Sequence, residues 1–205
     1  MGFDARFFGE AFVTLFVIVD PPGIVPLFLA YTGGNSLQQR QRIAWQASVA
    51  AFCLIVIFAL FGRALLDYLH VTVPSMQIAG GLLLLLVALE LLTGKTEAPA
   101  DRKRANVNVA LVPLATPLLA GPGAIVATIV FVDQVRGDTG RILTLALAIA
   151  LVHVLLWLTM RFSVSIIRVI KDNGVELVTR IAGLLLSAIA VQLIVDAIRS
   201  LLKGA

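Results

Sequence analysis

The chain is poor in the groups that most enzymes use. Of its 205 residues only 14% are charged, histidine occurs twice and cysteine once. A lone cysteine, Cys53, cannot form an intrachain disulfide; set in an apolar run, it is expected to pack. His153 stands alone in an apolar stretch with no second ligand at helical spacing, so it is expected in the core and no metal site is read. H-E-x-x-H, G-x-S-x-G and any cluster of serine, histidine and acid within the apolar runs are missing. Leu92-Thr93-Gly94-Lys95-Thr96 has the tail of a phosphate loop, but Leu89 stands where the first glycine belongs. The start, Met1-Gly2-Phe3-Asp4-Ala5-Arg6, lacks a basic n-region with a following small-residue cleavage site. These absences argue against catalysis and a cofactor. A net charge of +4 spread over short loops also argues against nucleic acid.

What the chain has in abundance is apolar surface: 60% hydrophobic residues and a mean hydropathy of +1.00, against roughly 45–50% apolar residues in soluble domains. Six apolar segments, about 7–31, 43–61, 73–92, 107–132, 142–160 and 177–202, are each long enough to cross the bilayer as a helix. Turn signals separate them at Thr32-Gly33-Gly34-Asn35-Ser36, Glu97-Ala98-Pro99-Ala100-Asp101, Asp138-Thr139-Gly140 and Asp172-Asn173-Gly174. The expected fold is an all-α integral membrane protein, one transmembrane domain over 1–205 with the lipid bilayer as its surroundings. The first, third and fifth loops hold ten of the sixteen basic residues, so the positive-inside rule places them in the cytoplasm and both termini outside.

Two segments break their own spans. Asp20-Pro21-Pro22-Gly23 interrupts the first and Gly121-Pro122-Gly123 the fourth, with Pro22-Gly23 and Pro122-Gly123 one hundred positions apart. A second match follows in the same order: Gln77-Ile78-Ala79-Gly80-Gly81 against Arg180-Ile181-Ala182-Gly183-Leu184. This reads as an internal repeat, about 7–93 and 107–202 around a cytoplasmic linker at about 94–106. Three spans per repeat make the second copy enter from the opposite face. Inverted repeats with broken helices 1 and 4 point to a transporter with a site at mid-membrane.

Prolines 21, 22 and 26 free backbone groups at mid-depth, which lipid does not tolerate unless protein or a wet cavity satisfies them. The half-helices restarting there offer free N–H groups and a positive dipole end to a carboxylate, and Gly121 and Gly123 allow close approach. Two readings of Asp20 stay open. It can cap the half-helix amides ahead of Pro21, or act on substrate or a coupling proton as an ionisable group within the membrane. Thr116 and Gln192 are set to hydrogen-bond between helices or to a ligand. Glu90, near the cytoplasmic end of span three, is accommodated by interfacial water and Lys95. Asp196 pairs with Arg199 three residues on. Gly80, Gly81 and Gly183 allow close helix crossing.

Asp20-Pro21-Pro22-Gly23-Ile24-Val25-Pro26-Leu27-Phe28 and Pro113-Leu114-Ala115-Thr116-Pro117-Leu118-Leu119-Ala120-Gly121-Pro122-Gly123-Ala124-Ile125 resemble the two hallmark segments of the MarC family, which includes SnatA-type neutral amino acid transporters. Ile78-Ala79-Gly80-Gly81 and Ile181-Ala182-Gly183 fit too, so the resemblance spans essentially the whole chain. It implies a six-helix protein of the bacterial inner membrane. For SnatA-type members it implies proton-linked movement of small neutral amino acids such as glycine and alanine. The expected substrate site comprises Asp20, Pro21, Pro22, Gly23, Thr116, Pro117, Gly121, Pro122, Gly123 and Gln192, with Asp20 the candidate for proton coupling. A structural or partner-binding membrane protein, and an enzyme acting on lipid, are the competing readings.

Overall fold

A computed structural model describes residues 4–93, 120–135 and 137–204. Thr116 and Pro117, and with them the first half of the fourth span, lie outside the described residues.

Among the described residues seven helices follow in order: α1 Ala5–Val19, α2 Ile24–Thr32, α3 Leu37–Tyr68, α4 Val73–Thr93, α5 Pro122–Gln134, α6 Thr139–Arg161 and α7 Ser163–Gly204. Among the described residues, Leu37–Tyr68, Val73–Thr93, Thr139–Arg161 and Glu176–Leu202 are long and apolar enough to cross a membrane, and Pro122–Gln134 is a shorter apolar helix. The all-helical membrane architecture expected from hydropathy is therefore present.

Local chemistry sets the helix ends. Asp4 starts α1 by accepting the Phe7 N–H at 2.9 Å. Ser36 and Gln39 form a reciprocal capping box, which starts α3 six residues ahead of the apolar run at 43. At 1.5 Å per residue α3 is about 48 Å long, more than the hydrocarbon needs. α7 departs further from expectation. Asp172-Asn173-Gly174 reads as a turn, yet the chain stays helical on both sides and breaks only at Lys171 (φ 58°, ψ 169°). No proline lies nearby to end the helix.

Packing buries many alanines alongside a few large side chains such as Phe28 and Leu156, and leaves many large apolar residues outside. Ala44, Ala47, Ala51 and Ala148 are fully buried, whereas Leu60, Phe61, Leu143 and Leu184 are exposed. That is the membrane pattern, in which small residues let helices approach and bulky ones face lipid. Cys53 departs from that pattern and from expectation: it is small yet exposed, two residues past Ala51 and off the buried stripe of α3. His153 is buried as expected, with Nδ1 donating to the Ile149 carbonyl at 2.8 Å and its ring edge-on to Phe52.

α1 and α3 both pack on α6, while α4 lies between α5 and α7. The glycines of α4 make that position possible. A Cβ on Gly80 would come within 2.6 Å of Val126 on α5, and one on Gly81 within 2.6 Å of Ile194 and 2.8 Å of the Ala190 carbonyl on α7. Gly183 faces back onto Leu91, Leu92 and the Ala88 carbonyl at 3.1–3.2 Å. These glycines are the close-crossing devices that the sequence suggested.

Ion pairs tie the helix ends together. Arg141 at the start of α6 reaches Asp4 at 3.3 Å and stacks on Phe7. Arg63 near the end of α3 pairs with Asp133 at the end of α5 and with Asp67. At the opposite end of α3, Arg40 donates to the carbonyls of Thr32 and Gly33, both at 3.0 Å, and shares a cavity with the α6–α7 junction.

Candidate functional site

The first break lies where the prolines require it. α1 stops at Val19, and Asp20 turns into the left-handed region (φ 45°, ψ 64°) with its N–H still donating to the Phe16 carbonyl at 2.9 Å. Pro21 and Pro22 supply no N–H, so the carbonyls of Val17 and Ile18 find no amide four residues on. The chain then restarts: Asp20 O accepts from Ile24, Pro22 O from Val25, and α2 begins. The buried Asp20 carboxylate accepts the Gly23 N–H at 3.2 Å. Asp20 thus satisfies one amide at the restart, but it is the C-cap of α1, and Gly23 rather than Asp20 is the N-cap of α2. The buried carboxylate also explains Gly23, since a Cβ there would meet it, 2.8 Å from its Cγ.

The second break is built differently. Gly121 is extended (φ −62°, ψ 165°), brings no side-chain oxygen to cap α5, and is followed by Pro122 at the first helical position. Pro122 has no N–H to satisfy. The amides of Gly123 and Ala124 point out of the helix start without an intrahelical acceptor, at the positive end of the helix dipole. Gly123 is needed for packing as well, because a Cβ would run into the Leu84 side chain.

Both breaks border the same core. Val19 and Ile24, flanking the first, belong to the buried cluster that also holds Ala120 and Ala124, flanking the second. Ile18 and the segment 121–124 line a cavity of about 250 Å³, closed on its other side by Leu84, Val87 and Glu90 of α4. Asp20 lies two residues from that lining, behind Ile18. Of the expected site residues, the structure assembles Gly121, Pro122 and Gly123 at the cavity and Asp20, Pro21, Pro22 and Gly23 at the adjoining break.

Gln192 is corrected. Its side chain is exposed, and its amide donates to Asp196 at 2.8 Å, one turn on along α7. Asp196 in turn lies 3.9 Å from Arg199, the pairing expected. Glu90, exposed near the end of α4, is the one charged side chain lining the cavity among the described residues; Lys95 lies outside them. Its signal in the sequence was an acid inside an apolar span, which is costly and so usually serves a purpose.

In sum the cavity offers opposite polarities. The start of α5, which no side chain caps among the described residues, lines it on one side, Glu90 of α4 on another, and apolar side chains make up the remainder.

Comparison with known proteins follows from this geometry. A family model described as "MarC family integral membrane protein" matches residues 5–202. A "UPF0056 membrane protein" of Archaeoglobus fulgidus is 39% identical over 93% of this chain and 91% of its own length. One from Methanocaldococcus jannaschii is 38% identical over 97% and 99%, and YhcE of Escherichia coli, a UPF0056 membrane protein, 30% identical over 98% and 96%. No solved structure matches.

Proposed function

The chain belongs to the MarC family of integral membrane proteins, and on that premise we propose that it is a secondary transporter of small neutral amino acids. The observation that carries this reading is the cavity at the second break, lined by the α5 start, by Ile18 just ahead of the first break, and by Glu90 of α4. A zwitterion suits the α5 start and Glu90 together. Its carboxylate accepts from Gly123 and Ala124 at the helix start, and its ammonium group faces the Glu90 carboxylate. At about 250 Å³ the space is below the roughly 300–1,000 Å³ of drug-sized ligand sites, which favours a small solute. Asp20 is the candidate for the coupling proton. The reading involves no covalent step and no cofactor.

The architecture we propose has six spans in two inverted repeats, both termini periplasmic, in a cell inner membrane. Support comes from the helix ends. Asp4 lies with Arg141, while Thr32 and Gly33 lie with Arg40 at the far end of α3. α1–α2 therefore runs away from the end at which α6 starts. α5 runs toward the end where Arg63 meets Asp133, opposite to α2.

The test is uptake of labelled alanine and glycine into proteoliposomes under an imposed pH gradient, with wild type and Glu90→Gln side by side. The expected result is gradient-dependent uptake that falls at least tenfold in the variant. Uptake equal to protein-free vesicles, across a panel of amino acids, would sink the assignment.

A further inference from the structure

Away from the cavity, three arginines gather with no counter-charge beside them among the described residues. Arg40 of α3, Arg161 at the end of α6 and Arg168 in the first turns of α7 line a cavity of about 320 Å³ at the α6–α7 junction, together with the hydroxyl-bearing Ser163 and Ser165. Two of the three guanidiniums are placed by something other than an acid. The carbonyls of Thr32 and Gly33 hold Arg40, and Arg161 lies 5.5 Å over the Trp157 ring. Among the described residues none of the three forms an ion pair, although Arg63, Arg141, Arg180 and Arg199 all do.

Like charges sharing a small volume repel, and an anion bound among them removes that cost. Arginine suits phosphate especially, because its planar fork donates two parallel hydrogen bonds. The surroundings add a second condition. The rim carries exposed Leu37 and Phe162, with Val169 exposed one residue past Arg168. The apolar span Thr139–Arg161 ends at the cavity. A free anion gains nothing from that rim, whereas a lipid places its phosphate among the arginines and its chains along the apolar helix faces.

We propose that this cavity binds the phosphate headgroup of an anionic membrane lipid, holding the α3 start, the α6 end and the α7 elbow together. The site is separate from the transport cavity, and the proposal stands whether or not the protein moves amino acids.

The test is thermal unfolding of the full chain in a neutral detergent with added short-chain phosphatidylglycerol, short-chain phosphatidylcholine, or inorganic phosphate at matched ionic strength. Phosphatidylglycerol is expected to raise Tm by several degrees more than phosphatidylcholine, and that increment to vanish in Arg161→Gln/Arg168→Gln while persisting in Arg199→Gln. Arg168→Gln alone, at an exposed position, replaces the double variant if that one does not fold. Equal effects of the two lipids, an increment that survives the arginine replacements, or one lost equally in Arg199→Gln would each overturn the proposal. Inorganic phosphate matching phosphatidylglycerol would overturn the lipid assignment in favour of a soluble anion.

Discussion

The carboxylate of Asp20 occupies the space that any side chain at position 23 would need, 2.8 Å from its Cγ to an added Cβ, while it accepts the Gly23 N–H. Acid and glycine are thus one device: the acid satisfies the amide that the prolines leave over, and the glycine makes room for it. Gly23→Ala is expected to destabilise the protein by about 1–3 kcal/mol, the usual cost of forcing an extra methyl into a packed site. Adding Asp20→Ala should recover part of that loss, because the two residues share one volume and their effects are not additive. Thermal denaturation of both single variants and the double in detergent measures the coupling.

Replacing Asp20 by Asn separates capping from proton handling. An amide oxygen still accepts the Gly23 N–H, so folding should be retained, with Tm within a few degrees. If the carboxyl carries the coupling proton, uptake driven by a pH gradient should fall to background while exchange of labelled for unlabelled substrate continues. Undiminished gradient-driven uptake would remove Asp20 from that role.

The glycines on α4 and α7 should rank by what their neighbours can yield. Gly81→Ala meets the Ala190 backbone carbonyl at 2.8 Å, whereas Gly183→Ala meets its neighbours at 3.1–3.2 Å. Gly81→Ala should therefore lower Tm more. Gly9 in α1 has nothing within 4 Å of an added Cβ, so Gly9→Ala should be neutral or stabilise by up to about 1 kcal/mol through helix propensity. Melting curves for the three variants give the order directly.

His153 offers a contrasting case. Its Nε2 is buried with no hydrogen-bond partner among the described residues, and a buried unpaired polar atom costs stability. His153→Phe is expected to hold or raise Tm. Leu156→Ala, one turn along the same helix and fully buried, should cost about 2–5 kcal/mol.

Much of this was legible in the chain before any coordinates. Pro21 and Pro22 cannot donate, so the interruption after Val19 follows from residue identity, and Gly80, Gly81 and Gly183 announced close crossings because little else lets helix backbones meet in lipid. The misreadings came from positions whose partners are far away in sequence or face an unmarked side. Gln192 could bond across helices or along its own, and Asp196 one turn on decided it. Cys53 was read as packed because hydropathy does not say which face of a helix turns to lipid. Glu90 looked interfacial from its place along α4; only the approach of α5 makes it a wall of the cavity. The helical state of residues 172–174 was hidden because Asn173 and Gly174, though better suited to turns, can also sit in a helix that packing supports.

Gly80 and Gly81 are adjacent yet touch different neighbours, Val126 on α5 and Ile194 on α7. α4 is consequently a party wall: the helix that carries Glu90 and Leu84 to the cavity at the second break packs with its other flank on α7, through Gly81 and the buried side chains of Ala88, Leu186 and Ala190. A tilt of α7 would press, through that tight seam, on the lining of the cavity.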